Sequence, residues 1–153
     1  MYRRIILLMA VCFGSAVAGP LPYYESADAK AEVRQALAEA GHAKLPVLIV
    51  FGANWCEDCR ALDASLKTGR NADLIARSFK VVKVDVGNFN RNLDLSAAYG
   101  DPIKKGIPAA VVLSAQNHVL YVTRAGELSS ARTMSETGVY EFFSRAANVA
   151  RVR

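Results

Sequence analysis

The chain has 153 residues, of which 52% are hydrophobic and 22% are charged, and its formal net charge is +5. This is the size of one domain and the composition of a globular protein, without a repeat or a low-complexity run, so long disordered segments and repeat architectures are excluded. The mild positive charge forms no tight lysine and arginine stripe with interleaved aromatics, which argues against a nucleic-acid partner.

The first 18 residues have the pattern of a secretory signal peptide. Arg3 and Arg4 precede an apolar run at 5–13, and small residues occupy 16–18, where a signal peptidase cleaves. The run is shorter than the roughly 20 residues that a membrane-spanning helix needs, so we expect no stable membrane insertion. Because both arginines leave, cleavage lowers the net charge from +5 to +3. The pattern predicts an exported, periplasmic protein with one domain at 19–153.

Apolar spacing predicts that helices and strands alternate along this domain. A helix at 26–40, capped by Ser26 or Asp28 and ended by Gly41, precedes a buried strand at 45–51. The later predicted elements are a helix from about Cys56 to Thr68-Gly69, a short helix at 72–78, a strand at 81–86, a loop at 87–92, a short helix up to Tyr99, hairpin strands at 109–113 and 119–123, and a helix at 135–149. This alternation predicts the α/β class.

The cysteine count points to chemistry rather than to a structural disulfide. Exported proteins often carry several bridges, but this chain keeps only Cys56 and Cys59 once Cys12 has left with the signal peptide. A bridge between them closes a very short loop and restricts the unfolded chain little. Zinc would need further ligands, and His42 and His118 are far apart in the sequence, so we expect no metal.

The two cysteines lie where a predicted strand passes into a predicted helix. The unpaired N–H groups and the dipole of a first helical turn stabilise a thiolate on the first cysteine. Cys56 is therefore the predicted nucleophile, and Cys59, one turn further along, is the predicted resolving thiol that attacks a mixed disulfide on Cys56.

Three segments together resemble the thioredoxin superfamily: Trp-Cys-Glu-Asp-Cys at 55–59 after an apolar strand, Val-Val-Lys-Val-Asp at 81–85, and Gly106-Ile107-Pro108. The resemblance covers most of the chain after residue 45. It implies a thioredoxin-like fold, with a central mixed β-sheet flanked by helices, and a protein-disulfide oxidoreductase without a cofactor. It also implies a cis Ile107–Pro108 peptide that faces the dithiol. Trp55, Ile107 and Pro108 would then contact an extended substrate segment.

One departure from the family pattern concerns proton transfer to the second cysteine. Classical members carry a buried aspartate in the strand before the dithiol, and this chain has Val50 at that position. Lys83 matches the family lysine that tunes the site, but its usual carboxylate partner is missing. We therefore expect Lys83 either to tune the site or to be a strand residue that reaches solvent.

A second departure is the acidic dipeptide between the cysteines. The carboxylates of Glu57 and Asp58 disfavour a thiolate on Cys56, although they favour the helix N-terminus itself. Lys104 and Lys105 precede the Gly-Ile-Pro segment and are candidates to offset that negative charge. The dipeptide favours a reductase or an isomerase over an oxidase.

The sequence thus predicts a thiol-disulfide oxidoreductase that acts on cysteine-containing exported proteins and is recycled by an unidentified redox partner. The alternative is a peptide-binding or chaperone module in which the dithiol is a passive bridge. Trp55 is expected to be a core aromatic or to shape the rim of the site, and these two roles are compatible. Tyr23 and Tyr24 are candidates either for a partner contact or for packing onto the first helix.

Overall fold

The computed structural model describes residues 19–152, so the predicted signal peptide and Cys12 lie outside the described residues. Its elements are α1 (Ala29–Ala43), β1 (Val47–Gly52), α2 (Glu57–Leu66), α3 (Gly69–Ser78), β2 (Lys80–Asp85), α4 (Leu93–Ala98), β3 (Ala109–Leu113), β4 (Val119–Val122) and α5 (Glu136–Val152). Short 3-10 turns at Pro102–Lys105 and Ala131–Thr133 precede β3 and α5. Between residues 19 and 152, no helix is long and apolar enough to cross a bilayer.

The four strands form one mixed sheet in the order β2-β1-β3-β4, which confirms the predicted fold class. The strand β1 runs parallel to β2 and antiparallel to β3, and β4 is antiparallel to β3. All six residues of β1 are buried, because helices cover the sheet on both faces. This explains why β1 is a continuous apolar run in the sequence.

Alternate side chains of β1 belong to two separate cores. Ile49 and Phe51 pack with buried residues of α1, and Leu48 and Val50 pack with buried residues of α2, α3 and α5. Each fully buried large side chain contributes about 1.5–3 kcal/mol to folding, so both helix layers hold the central strand in place. This strand in turn fixes the position of the segment that follows it, residues 53–56.

The predicted end of α1 before Gly41 and the predicted start of α3 at residue 72 were wrong. The helix α1 continues through Gly41 to Ala43, where Lys44 adopts the left-handed conformation (φ 55°) and ends it. An interior glycine costs only about 1 kcal/mol, which the buried face of α1 offsets. Similarly, α3 begins at Gly69 rather than at residue 72. Of the two candidate caps of α1, Asp28 is the one that accepts a hydrogen bond, from the N–H of Ala31.

Candidate active site

The dithiol lies at the junction between β1 and α2. Cys56 is the N-cap of α2, and its Sγ accepts a hydrogen bond from the backbone N–H of Cys59 at 3.2 Å. The sulfur therefore occupies the place where a serine or aspartate oxygen usually caps a helix. Both this N–H and the helix dipole favour negative charge on Cys56.

The structure brings Ile107 and Pro108 against the first cysteine. The thiol of Cys56 donates to the Ile107 carbonyl oxygen at 3.7 Å, and the Ile107–Pro108 peptide bond is cis, as the resemblance implies. Ile107 and Pro108 are buried, whereas Gly106 is partly exposed and the preceding Lys105 is exposed. The loop before β3 thus forms a wall next to the sulfur.

The two thiols, both free, differ in exposure and in acidity. Cys56 is 6% exposed, whereas Cys59 is fully buried, at 0%. Burial, followed by the hydrogen bond with Cys56, raises the pKa of Cys59 far above its usual range. Cys59 therefore rests as a protonated thiol that an external disulfide does not reach.

An open groove of about 450 Å³ lies in front of Cys56. Trp55 is 54% exposed on its rim, packs edge-on against the ring of Phe89 at 6.2 Å, and donates from Nε1 to the Gly87 carbonyl at 2.9 Å. The aromatic pair gives the groove an apolar side. The groove is lined by Trp55, Cys56, Glu57, Asp58, Phe89, Gly106, Ile107, Ser129 and Arg132.

Arg132 is the cation that meets the acidic dipeptide. Its guanidinium lies 2.6 Å from the Glu57 carboxylate and 3.9 Å from that of Asp58, and its backbone N–H donates to Asp58 at 2.9 Å. These contacts hold the 3-10 turn before α5 against the first turn of α2. Arg132 has the role that was predicted for Lys104 and Lys105, and it could not be found from local sequence because it follows the dipeptide by more than 70 residues.

Lys83 has an acidic partner that the sequence analysis also missed. Its ammonium forms an ion pair with Asp63 of α2, and Lys67 contacts the same carboxylate at 2.8 Å. In the register of the sheet Lys83 is paired with Val50, so the carboxylate comes from the covering helix instead of from β1. Partial burial lowers the pKa of Lys83. The structure thus places Lys83 in an ion pair with α2.

Tyr23 is the other residue that sequence reasoning did not place in the site. Its ring is buried at 3% exposure, and its hydroxyl lies beside Cys59 above Gly52. The segment before α1 showed no periodic pattern, so only the fold reveals this contact.

Within residues 19–152, the structure has no group of three or more His, Cys, Asp or Glu side chains arranged to hold a metal ion.

Comparison with known proteins agrees with this geometry. A family model described as thioredoxin-like matches residues 28–115, more than half of the chain. The chain is similar to the crystal structure of a disulphide isomerase from Xylella fastidiosa Temecula1, with 56% identity and a TM-score of 0.82 over 84% of this chain and 98% of that chain. No curated protein sequence matches the chain.

Two more distant structures share the fold. The C-terminal domain of DsbD from Neisseria meningitidis is 21% identical, with a TM-score of 0.51 over 75% of this chain and 90% of that chain. A thioredoxin from Thermus thermophilus is 20% identical, with a TM-score of 0.52 over 75% of this chain and 81% of that chain. From the match over 28–115 and the 56% identity to the isomerase, the chain belongs to the thioredoxin superfamily and is one of its thiol-disulfide oxidoreductases.

Proposed function

We propose that this chain is an exported disulfide isomerase or reductase that acts on cysteine-containing exported proteins, with Cys56 as nucleophile and Cys59 as resolving thiol. The observation that carries the proposal is the asymmetry of the dithiol: Cys56 caps α2 at the open groove, and Cys59 is fully buried behind it. Trp55, Ile107 and Pro108 would contact the substrate segment that brings its disulfide to Cys56.

The reaction needs only thiol chemistry. The Cys56 thiolate attacks one sulfur of a substrate disulfide, so one substrate sulfur leaves as a thiolate and the other stays bound to Cys56. In reduction, Cys59 then displaces the bound substrate sulfur, and the chain is left with a Cys56–Cys59 disulfide that a redox partner must reduce. In isomerisation, a second substrate thiol displaces Cys56, and no net electrons are consumed.

The sequence pattern at 1–18 supports export, and the 56% identity to the disulphide isomerase from Xylella fastidiosa supports isomerase activity. The acidic dipeptide at 57–58 also disfavours an oxidase, because negative charge beside Cys56 makes the reduced form less stable.

We expect the purified chain, kept reduced by glutathione, to restore activity to scrambled ribonuclease and, in a separate assay, to reduce insulin with dithiothreitol as electron donor. The ratio of the two rates separates an isomerase from a reductase. The matched control is the double variant Cys56→Ser with Cys59→Ser. A wild-type chain that suppresses aggregation of unfolded protein but does no better than this control in both assays would be a binding module instead.

The ion pairs of Arg132 lead to a prediction on redox poise. Arg132→Gln leaves Glu57 and Asp58 unpaired beside Cys56, so the reduced form loses stability and the reduction potential becomes more negative, by on the order of 20 mV. Glu57→Gln with Asp58→Asn leaves Arg132 unpaired and shifts the potential the other way, by about 30 mV.

Both shifts are measured by equilibration with glutathione buffers at low and at moderate ionic strength, since the charges are exposed and salt screens them. The matched control is Lys104→Gln with Lys105→Gln, which removes two neighbouring positive charges and leaves Arg132 in place. If the control shifts the potential and Arg132→Gln does not, Arg132 is not the group that offsets the dipeptide.

A further inference from the structure

A buried phenol lies directly against the resolving thiol. Tyr23 precedes α1, and its side chain enters the core beside β1, where Gly52 leaves room for it. A Cβ atom on Gly52 would lie 2.9 Å from Cys59 Sγ and would collide with the Tyr23 hydroxyl. The hydroxyl and the sulfur therefore face the same small space.

The loop that presents Cys56 also holds Tyr23. The side chain of Asn54 accepts the Tyr23 backbone N–H at 2.9 Å and donates to the Tyr23 carbonyl at 2.8 Å. Arg60 of α2 in turn donates to the Asn54 carbonyl at 2.6 Å. These bonds join the segment before α1 to both sides of the dithiol, so the position of the phenol is fixed relative to Cys59.

Cys59 needs such a group because its surroundings otherwise oppose its ionisation. Burial raises its pKa, as do Cys56 and the negative charge of Asp58, whereas the Ala53 backbone lowers it. Asp85, the other acidic group near Tyr23, is buried and already pairs with Arg91 at 3.2 Å. Val50, where the family aspartate is expected, packs on the opposite face of the sheet with Leu62.

We propose that the Tyr23 hydroxyl donates a hydrogen bond to Cys59 Sγ and thereby stabilises the thiolate that forms during resolution. The proposal rests on the proposed function. In this step the Cys59 proton passes to solvent or to the departing substrate sulfur, and the Cys59 thiolate forms a bond to Cys56 Sγ. The bond from Cys56 to the substrate sulfur breaks, and that sulfur leaves with the electron pair. Tyr23 keeps its own proton throughout.

The protonation of Tyr23 agrees with a donor role. Burial first, and then negative charge on Cys59 or on Cys56, raises the pKa of Tyr23 well above its usual value. The phenol thus stays neutral and keeps its O–H at the pH at which the dithiol reacts.

The test follows the two thiols one after the other in a single turnover. An aromatic disulfide reagent releases one coloured thiolate when Cys56 attacks and a second when Cys59 resolves the mixed disulfide. For Tyr23→Phe we expect an unchanged first phase and a second phase slowed roughly 10- to 100-fold, which is the effect of losing a hydrogen bond to a charged group. The pH at which the second phase reaches half its maximal rate should rise.

Two further variants of neighbouring residues accompany Tyr23→Phe in this experiment. Tyr24→Phe removes the neighbouring hydroxyl, which is 76% exposed, and should change neither phase. Gly52→Ala places a Cβ against both the Tyr23 hydroxyl and Cys59 Sγ, so it tests the space that the two groups share and should slow the second phase as well. Thermal unfolding of Tyr23→Phe, which retains the ring, reports any loss of packing separately.

Equal second phases for Tyr23→Phe and the wild-type chain at every pH would overturn the role of Tyr23. A wild-type chain that releases the first thiolate and never the second would instead overturn the dithiol mechanism of the proposed function, so the two failures are distinguishable.

Discussion

Replacing Cys56 by serine is expected to abolish disulfide exchange, whereas replacing Cys59 by serine is expected to leave a chain that captures its substrates as stable mixed disulfides. Only Cys56 reaches the groove, and without a thiol at position 59 a captured protein is released only when one of its own thiols displaces Cys56, so adducts persist longer. A hydroxyl at position 59 still fits the buried space but does not displace a sulfur.

The measurement is made in cells that express Cys59→Ser. Adducts are isolated from the exported fraction without reducing agent and are identified by mass spectrometry after reduction. The double variant with serine at both positions is the matched control, since it lacks both thiols of the site. Exported proteins with cysteines should dominate the captured set.

Two results would contradict this assignment. Adducts through Cys59 in the Cys56→Ser chain, with none through Cys56 in the Cys59→Ser chain, would reverse the roles of the two thiols. Adducts found only with cytoplasmic proteins, on a chain that retains residues 1–18, would contradict export.

The second large effect is expected at the ion pair beneath α2. Asp63→Asn removes the carboxylate that Lys83 and Lys67 share, and Lys83, whose side chain is only 23% exposed, loses its counter-charge. Removing one partner of a fully buried pair costs about 3–5 kcal/mol, and partial exposure reduces that figure, so we expect the free energy of unfolding to fall by about 2 kcal/mol. Urea denaturation monitored by circular dichroism measures it.

Two further variants test whether the loss of stability in Asp63→Asn comes from leaving the charge of Lys83 unpaired in its partly buried position. Lys67→Ala removes the exposed partner of Asp63 and should cost less than about 1 kcal/mol. Asp63→Leu with Lys83→Met replaces the pair by apolar side chains and should recover most of the loss. Equal losses for Asp63→Asn and Lys67→Ala, or a double variant as unstable as Asp63→Asn, would show that Lys83 does not need the pair.

The pH dependence of this variant has a definite sign. Because burial lowers the pKa of Lys83 below its ordinary value of 10.5, the unfolded chain binds more protons than the folded chain between the two pKa values. The cost of burying the Lys83 ammonium is fully present below the pKa of Lys83 in the folded chain. It disappears above the pKa of Lys83 in the unfolded chain. The unfolding free energy contributed by Lys83 should therefore rise with pH through this alkaline window, more steeply in Asp63→Asn, where no carboxylate opposes the shift.

Local patterns were sufficient to predict the order of the elements and the position of the dithiol. The apolar run of β1 and the spacing of Cys59, Leu62 and Leu66 depend on burial along one chain segment, which periodicity records directly. The end of α1 was predicted wrongly because a local signal was outweighed by packing. Gly41 is a local stop signal, but the helix continues because its buried face packs on the sheet, and packing outweighs propensity.

The neighbours of the dithiol could not be predicted in this way. Arg132 meets Glu57 across 75 residues, and Tyr23 reaches Asn54 across 31. Contacts of this kind are set by how the elements cross in space, and no spacing rule within one segment reports them. The same holds for Asp63. It lies on α2 and pairs with Lys83, whereas the family pattern has its carboxylate in the strand that corresponds to β1.

Trp55 makes the site optically observable. It is the only tryptophan in the chain, it immediately precedes Cys56, and its half-exposed indole stands at the mouth of the groove against Phe89. Its fluorescence therefore originates from one place, on the lining of the groove beside Cys56. Redox titrations and binding experiments on this enzyme can follow intrinsic emission, with no attached dye.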